Sequence, residues 1–274
     1  MLRERVADNI YVFTSELYAQ VNAGAVVGPD WSVLIDTLPY PEETLEIREL
    51  VERRLGSPVR YIVNTHHHPD HVLGNCFFPQ AVVIAHALCR ELMDTATRAR
   101  LEAARPQSRE LGSVELVLPD IVFDGDGLTL RVGRRTLELI PLAGHSPDGI
   151  GVLIPEDHVL FAGDAMMPMP YLVDGNSEQL GSSLRRIPKL KLENLVQGHG
   201  EIILRGEIPN ALRSNLSYLA ALDRGVSRLR RRKNPHEFVG EISIEECGKT
   251  RILLGGIAPE LHRQNVLSVL EQGS

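Results

Sequence analysis

The sequence has little cysteine. Cys76, Cys89 and Cys247 are the three cysteines in 274 residues, and they lie far apart in the chain. A disulfide framework or a cysteine zinc site needs cysteines in pairs or at short spacings. We therefore exclude both kinds of protein and expect three reduced thiols that pack as ordinary side chains.

Long apolar runs are also absent. A membrane-spanning helix needs about 20 consecutive apolar residues, and no stretch approaches that length. The first eight residues, M-L-R-E-R-V-A-D, carry charges where a secretory signal would have its apolar region. We therefore expect a cytoplasmic protein without membrane contact. Its hydrophobic content of 43% is ordinary for a globular protein.

Positive charge is not in excess. The chain has 29 lysines and arginines against 36 aspartates and glutamates, a net charge of -7. Binding to nucleic-acid phosphates requires a concentrated basic surface. No nucleic-acid partner is therefore expected, and a small-molecule substrate is the expected partner.

The most informative segment is residues 65–71, which read T-H-H-H-P-D-H. It follows a run of apolar and β-branched residues, a pattern that predicts a buried parallel strand. Open α/β sheets carry their sites in loops at the carboxyl ends of such strands. His66 and His68 can face one ion while Asp70 and His71 turn toward a second. The spacing therefore predicts a site for two metal ions.

Three further candidate ligands each follow a strand-like run and a glycine. They are His145 in A-G-H-S, Asp164 in F-A-G-D and His199 in Q-G-H-G. A glycine before the ligand lets the backbone turn sharply and approach an ion. His67, which lies between ligands, is expected to point away from the metals, and His262 is a reserve candidate.

In this order, T-H-H-H-P-D-H, A-G-H-S, F-A-G-D and Q-G-H-G resemble the successive motifs of the metallo-β-lactamase superfamily of hydrolases. The resemblance covers residues 9 to 205 and implies seven ligands. His66, His68 and His145 would hold one metal, Asp70, His71 and His199 the second, and Asp164 would bridge the two.

The ligand set predicts the chemistry. Two cations about 3.5 Å apart lower the pKa of a bridging water enough to supply hydroxide at neutral pH. Asp70 is the predicted catalytic residue, because it can orient the hydroxide and pass a proton to the leaving group. Imidazole and carboxylate ligands favour two Zn²⁺, with iron or manganese as alternatives. The predicted function is hydrolysis of a small ester, thioester, lactone or amide of the β-lactam kind.

Other functions of the same fold stay open. One is an iron-dependent redox enzyme, either a persulfide dioxygenase or a diiron enzyme, and another is a phosphodiesterase or nuclease. The complete ligand set, with His68 where diiron reductases carry glutamate, favours the hydrolase. The Gly198–Glu201 segment lacks the nearby tyrosine of hydroxyacylglutathione hydrolases, and Met167 stands where lactonases have a tyrosine. Neither a glutathione thioester nor a signalling lactone is therefore the expected substrate.

Three residues are candidates for contact with the substrate. Tyr18 lies in the turn that overhangs the metals in this fold. Met167 and Tyr171 lie in residues 165–176, which follow Asp164 and contain three methionines and two prolines. Methionine side chains can form a deformable apolar wall for a small acyl group. Ordinary packing would explain all three residues equally well.

The order of elements predicts an α/β protein. Two mixed sheets with helices outside is the simplest packing, and it coincides with the four-layer αββα sandwich that the resemblance implies. We assign this sandwich to residues 1–206.

The remaining residues, 207–274, are predicted to form a helical extension packed on the core. Candidate helices cover residues 209–233, 238–247 and 259–272. Between the last two lies the apolar segment 253–257, L-L-G-G-I. Because such a segment is usually covered, we expect it to pack on the core or to support a homodimer.

Overall fold

The computed structural model describes residues 1–272, in which thirteen strands and seven α-helices occur. The strands are β1 Leu2–Ala7, β2 Ile10–Thr14, β3 Asn22–Val27, β4 Ser32–Ile35, β5 Val59–Val63, β6 Val82–His86, β7 Ile121–Phe123, β8 Leu128–Val132, β9 Arg135–Pro141, β10 Ile150–Ile154, β11 Val159–Phe161, β12 Asn194–Val196 and β13 Ile203–Leu204. The helices are α1 Pro41–Arg48, α2 Pro69–Val72, α3 Ala87–Leu92, α4 Arg98–Ala104, α5 Ser177–Arg186, α6 Ile208–Leu229 and α7 Ala258–Glu271. None of the helices in residues 1–272 is both long and apolar enough to cross a membrane.

The first sheet contains β1 to β7 in chain order. Strands β1 to β4 pair antiparallel, whereas β4 to β7 pair parallel. The predicted buried parallel strand is confirmed as β5, which lies between β4 and β6. Ile35 pairs with Val63, so β4 and β5 end at the same edge of the sheet. Asp36 and residues 65–71 therefore emerge side by side at that edge.

The second sheet has the order β13-β12-β11-β10-β9-β8. Its one parallel pair in the described chain is β11 with β12, where Phe161 pairs with Val196. The carboxyl ends of these two strands therefore meet at one edge. Asp164 and His199 follow these strand ends closely, which brings two distant parts of the sequence together.

The two sheets face each other across an apolar core. Val33 and Val63 of the first sheet pack there with Leu139 and Val152 of the second. Helix α1 covers the outer face of the first sheet, and α5, α6 and α7 cover that of the second. The predicted four-layer αββα sandwich is confirmed.

The helical extension shares a core with the second sheet. Tyr218 and Leu222 of α6 and Val266 of α7 belong to one buried cluster with Leu160 and Leu195 of the sheet. Helix α6 confirms the predicted long helix, although it ends at Leu229. The division at residue 206 stays a prediction, and residues 273 and 274 of the extension lie outside the described residues.

The predicted helix at residues 238–247 is wrong. Pro235–Glu241 form a short 3-10 segment, and turns follow it. Ile242 has an extended backbone, with φ -91° and ψ 101°, and its side chain packs against Gly225 of α6. Tertiary packing of this isoleucine therefore overrides the helical pattern.

We expect Leu222→Ala to lower the free energy of unfolding of the whole chain by about 2–5 kcal/mol, because it opens a cavity in the shared core. Leu204→Ala is the matched control, since Leu204 is 56% exposed in β13, and it should cost less than about 0.5 kcal/mol. Denaturant unfolding followed by circular dichroism measures both. A separate early transition for the extension would contradict a shared core.

Candidate metal centre

All seven predicted ligands lie at one edge of the sandwich, where the two sheets meet. Within each of two groups, one ligand atom per residue lies within 4.8 Å of every other. The first group is His66, His68, His145 and Asp164, and the second is Asp70, His71 and His199. The assignment of these residues to metal ions stays a prediction. The fold itself brings the seven side chains together.

Asp164 lies between the groups. Its Oδ2 atom is 3.3 Å from Nε2 of His145 and 3.4 Å from Nε2 of His199. Its Oδ1 atom is 3.2 Å from Nε2 of His71. Asp70 joins the second group through Oδ2, which is 3.3 Å from Nε2 of His199. The carboxylate of Asp164 is therefore within reach of imidazoles from both groups.

Each of the five ligand histidines has one ring nitrogen tied to an acceptor. His71 Nδ1 donates to Asp36 at 2.9 Å, His145 Nδ1 to the carbonyl of Tyr171 at 2.8 Å, His199 Nδ1 to the carbonyl of Ala19 at 2.9 Å, His68 Nε2 to Asp174 at 2.8 Å, and His66 Nδ1 to the hydroxyl of Thr65 at 3.1 Å. Anchoring one nitrogen in this way orients the other toward the centre.

The donor set fits a divalent cation. His66 Nε2, His71 Nε2 and Asp164 Oδ1 are buried and have no hydrogen-bond partner in the described chain. Buried polar atoms are otherwise almost always paired, because leaving one unpaired is costly. A metal ion bound by neutral imidazoles and carboxylates would satisfy all three atoms.

Two glycines are required by this packing. A Cβ atom on Gly198 would lie 1.8 Å from Oδ1 of Asp164, so any side chain there would displace the carboxylate. Gly163 has φ +49°, and its Cβ would lie 2.6 Å from the hydroxyl of Thr65. Glycine is therefore needed before Asp164 and His199, because a side chain at either position would collide with Thr65 or with Asp164.

The carboxylates that support the histidines were missed by sequence reasoning. Asp36 accepts from His71 and also from the backbone and hydroxyl of Thr65. Its position after β4 is a signal that could have found it. Asp174 lies 106 residues from His68, and no local pattern marks it. His67 donates to Asp148 at 3.0 Å and belongs to neither of the two ligand groups, but it lies close to His68 and Asp174.

His262 lies outside the centre. Its Nδ1 atom is 2.9 Å from the hydroxyl of Tyr218, and its Nε2 atom is 2.9 Å from the carbonyl of Ile242. It therefore links two parts of the helical extension, and it does not join either ligand group.

The two groups differ in protonation. Burial lowers the pKa of His145 to about 4 and that of His66 well below its usual value. Burial also opposes charge on His199 and His71, but the nearby carboxylates of Asp164 and Asp70 outweigh it. They raise the pKa of His199 to about 10 and that of His71 well above its usual value. The carboxylates therefore favour the protonated form of the His71 and His199 imidazoles when no metal ion is bound.

A cavity of about 340 Å³ opens above the centre. Tyr18, Met167 and Tyr171, the predicted substrate contacts, all line it, and their role stays a prediction. Arg100 of α4 and the apolar side chains of residues 254, 257 and 261 also line it. These four were missed because they come from distant segments of the chain.

The extension holds the loop that forms one wall of this cavity. Its side chains bond backbone groups of residues 167–175. Asn215 donates to the carbonyl of Met167 at 2.8 Å, Lys249 to that of Pro168 at 2.7 Å, Asn265 to that of Pro170 at 2.7 Å, Ser268 to that of Leu172 at 2.9 Å, and Gln272 to that of Gly175 at 2.7 Å. The same loop carries Asp174 and the Tyr171 carbonyl, so the extension positions the supports of His68 and His145.

A sequence profile of the metallo-beta-lactamase superfamily matches residues 18–199, a range that contains all seven predicted ligands. The chain belongs to the metallo-beta-lactamase superfamily. The predicted resemblance is therefore confirmed at the level of the family.

Among the curated relatives, a hydroxyacylglutathione hydrolase of Cereibacter sphaeroides is 30% identical over 162 residues, which are 58% of this chain and 54% of that protein. This chain spans about half the length of the curated relatives it matches. The structure of a metallo-beta-lactamase family protein from Thermus thermophilus aligns with a TM-score of 0.71 at 20% identity. The alignment covers 98% of this chain and 94% of the Thermus protein. The structure of the sec-alkylsulfatase Pisa1 from Pseudomonas sp. aligns with a TM-score of 0.76 at 18% identity. The alignment covers 98% of this chain and 50% of the sulfatase. These two structural likenesses establish the fold.

We expect zinc binding to release protons and to weaken as the pH falls. The raised pKa values of His71 and His199 mean that protons occupy the positions a metal needs, so affinity should fall about tenfold per pH unit for each proton displaced. Isothermal titration calorimetry of the metal-stripped protein between pH 6 and 8, in two buffers of different ionisation enthalpy, counts the protons. Zinc binding without proton release at pH 7 would contradict this protonation pattern.

Proposed function

We propose that this chain is a metal-dependent hydrolase that holds two divalent metal ions, most simply zinc, and cleaves a small ester, thioester, lactone or amide. One observation carries the proposal: the carboxylate of Asp164 lies within 3.4 Å of imidazoles from both ligand groups, and this centre lines a cavity of about 340 Å³. That volume is at the lower end of the range of small-molecule sites.

The first group, with His66, His68 and His145, would hold one ion, and the second would hold the other. When bound, the pair would lower the pKa of a coordinated water to near 7 and would polarise the bond under attack. In a metal site, the proton of each neutral imidazole must stay on the nitrogen that does not bind the metal. The hydrogen bonds to all five histidines hold the protons in this way.

Asp70 is suited to proton transfer. Of the two aspartates among the predicted ligands it has the more exposed side chain, 16% against 4% for Asp164, and it lines the cavity. Burial raises the pKa of its carboxyl, but the charges of His71 and His199 hold that pKa below its usual range. Asp70 is therefore an ionised carboxylate that can accept a proton from the attacking water and deliver it to the leaving group.

The name of one relative supports part of the proposed substrate range. The Cereibacter sphaeroides relative is named a hydroxyacylglutathione hydrolase, and this name supports the inclusion of thioesters in the proposal. Tyr18, Met167 and Tyr171 would contact the bound substrate and exclude water around the bond that is cleaved.

A homodimer is also proposed for the intact protein. Leu254 of the apolar segment is buried within its own chain, but Leu2 in β1 is 54% exposed and Leu17, which follows β2, is 53% exposed. Exposed large apolar side chains of this kind favour contact with a second copy. Sedimentation of the metal-loaded protein tests this, and a monomer at high concentration would refute it.

We expect Asp164→Ala to lose at least one equivalent of metal, because the carboxylate reaches imidazoles of both groups. Mass spectrometry of metals in the purified protein should give two equivalents per chain for the wild type. Asp126→Ala, which removes an exposed carboxylate in the turn before β8, is the control and should keep both. Retention of two ions in Asp164→Ala would refute the ligand assignment.

Asp70→Asn should reduce hydrolysis by about a hundredfold or more, the usual scale for a group that transfers protons. The substitution keeps the size of the side chain and one oxygen ligand but removes the proton acceptor. Steady-state rates are compared at equal metal content, with Asp126→Asn as the control. Nearly unchanged turnover with both metals bound would show that Asp70 does not transfer the proton.

A further inference from the structure

One wall of the cavity is apolar and comes from the helical extension. Leu254, Ile257 and Leu261 line it from the end of the chain, and Met167 and Val173 line it from the loop after Asp164. Leu254 is only 5% exposed, whereas Ile257 is 43% exposed. The wall therefore continues from the interior of the cavity to its mouth.

The conformation of this wall is held against a local preference. Leu254 has φ +52° and ψ +44°, a left-handed conformation that residues other than glycine, asparagine and aspartate rarely adopt. Such outliers persist where the surrounding structure determines them, and they cluster at binding sites. Here the strained backbone turns a leucine side chain into the cavity wall.

The side chains around the cavity supply no free positive charge for an anionic ligand. Arg100 is the one lysine or arginine among the lining residues of the described chain. Its guanidinium is 2.6 Å from the carboxylate of Asp174, which also accepts from His68. Asp70 and Asp164 also line the cavity, but as metal ligands they would not act on the substrate as free charges. Away from the metal ions, a substrate carboxylate would therefore meet only the compensated charge of Arg100.

We infer that the substrate is an uncharged acyl compound whose hydrocarbon acyl chain lies on the wall formed by Leu254, Ile257 and Leu261. This inference rests on the proposed function and narrows it. For a thioester, the hydroxyl of water bonds to the acyl carbon, the C–S bond breaks, and the leaving thiolate takes the remaining water proton. The products are a carboxylic acid and a thiol, so no other reactant is needed.

A set of four thioesters tests the inference on the zinc-loaded protein. Acetyl and hexanoyl groups are each joined to N-acetylcysteamine, which is uncharged, and to glutathione, which carries two carboxylates. A hydrocarbon wall adds binding energy with each methylene. We therefore expect kcat/KM to be about tenfold or more higher for hexanoyl than for acetyl. We also expect N-acetylcysteamine thioesters to be preferred over glutathione thioesters.

Two matched variants locate the effect. Ile257→Asn places a polar group on the wall. Ile252→Asn makes the same change just before the apolar segment, at an 81% exposed position that does not line the cavity. We expect the hexanoyl-to-acetyl ratio to fall about fivefold in Ile257→Asn and to stay at the wild-type value in Ile252→Asn. Equal ratios in both variants, no preference for hexanoyl, or a preference for glutathione thioesters would overturn the inference while leaving a hydrolase.

Failure of the proposed function gives a different result. In that case none of the four thioesters would show metal-dependent turnover. Calorimetric binding of N-hexylacetamide to the zinc-loaded protein then tests the wall without any reaction. Weaker binding to Ile257→Asn than to Ile252→Asn would support the apolar site, and equal affinities would overturn it.

Discussion

The buried carboxylate of Asp164 is the constraint on which the rest of the centre depends. Its side chain is 4% exposed and faces imidazoles from both ligand groups. A charge removed from water is tolerated only when it is paired and hydrogen-bonded. When no cation is bound, this carboxylate favours protonation of His71 and His199, whose Nε2 atoms lie 3.2 and 3.4 Å from it. Proton and metal therefore compete for one electrostatic role, and Gly198 is needed because the carboxylate fills the space of a side chain.

Part of this centre could be predicted from local sequence because the relevant information is local. Residues 65–71 carry four ligands within seven residues, and the other three follow a strand and a glycine. Parallel pairing of β4 with β5 and of β11 with β12 brings residues 65–71, Asp164 and His199 to one edge, whereas His145 follows β9, whose pairs are antiparallel. The sandwich could be predicted for the same reason, since the strands are short apolar runs separated by clear turns.

The supporting residues could not be predicted, because tertiary packing alone brings them to the site. Asp174 and Arg100 lie in segments with no motif, and their contact depends on how α4 packs beside the loop after Asp164. The helix expected at residues 238–247 failed for a related reason. Helical spacing of apolar residues is a weak signal when one of them, Ile242, is better buried against a neighbouring helix.

Helix α7 serves two purposes with different side chains. Leu261 faces the cavity, whereas Asn265 and Ser268 hold the backbone of the wall-forming loop. Substitutions on the cavity side change the shape offered to a ligand, and those on the other side loosen a loop that supports two histidines. A new substrate specificity can therefore evolve through substitutions on the cavity side of α7, whereas the side chains that bond the loop are restricted by their structural role. Divergent members with the same extension should vary in the former and keep carboxamides or hydroxyls in the latter.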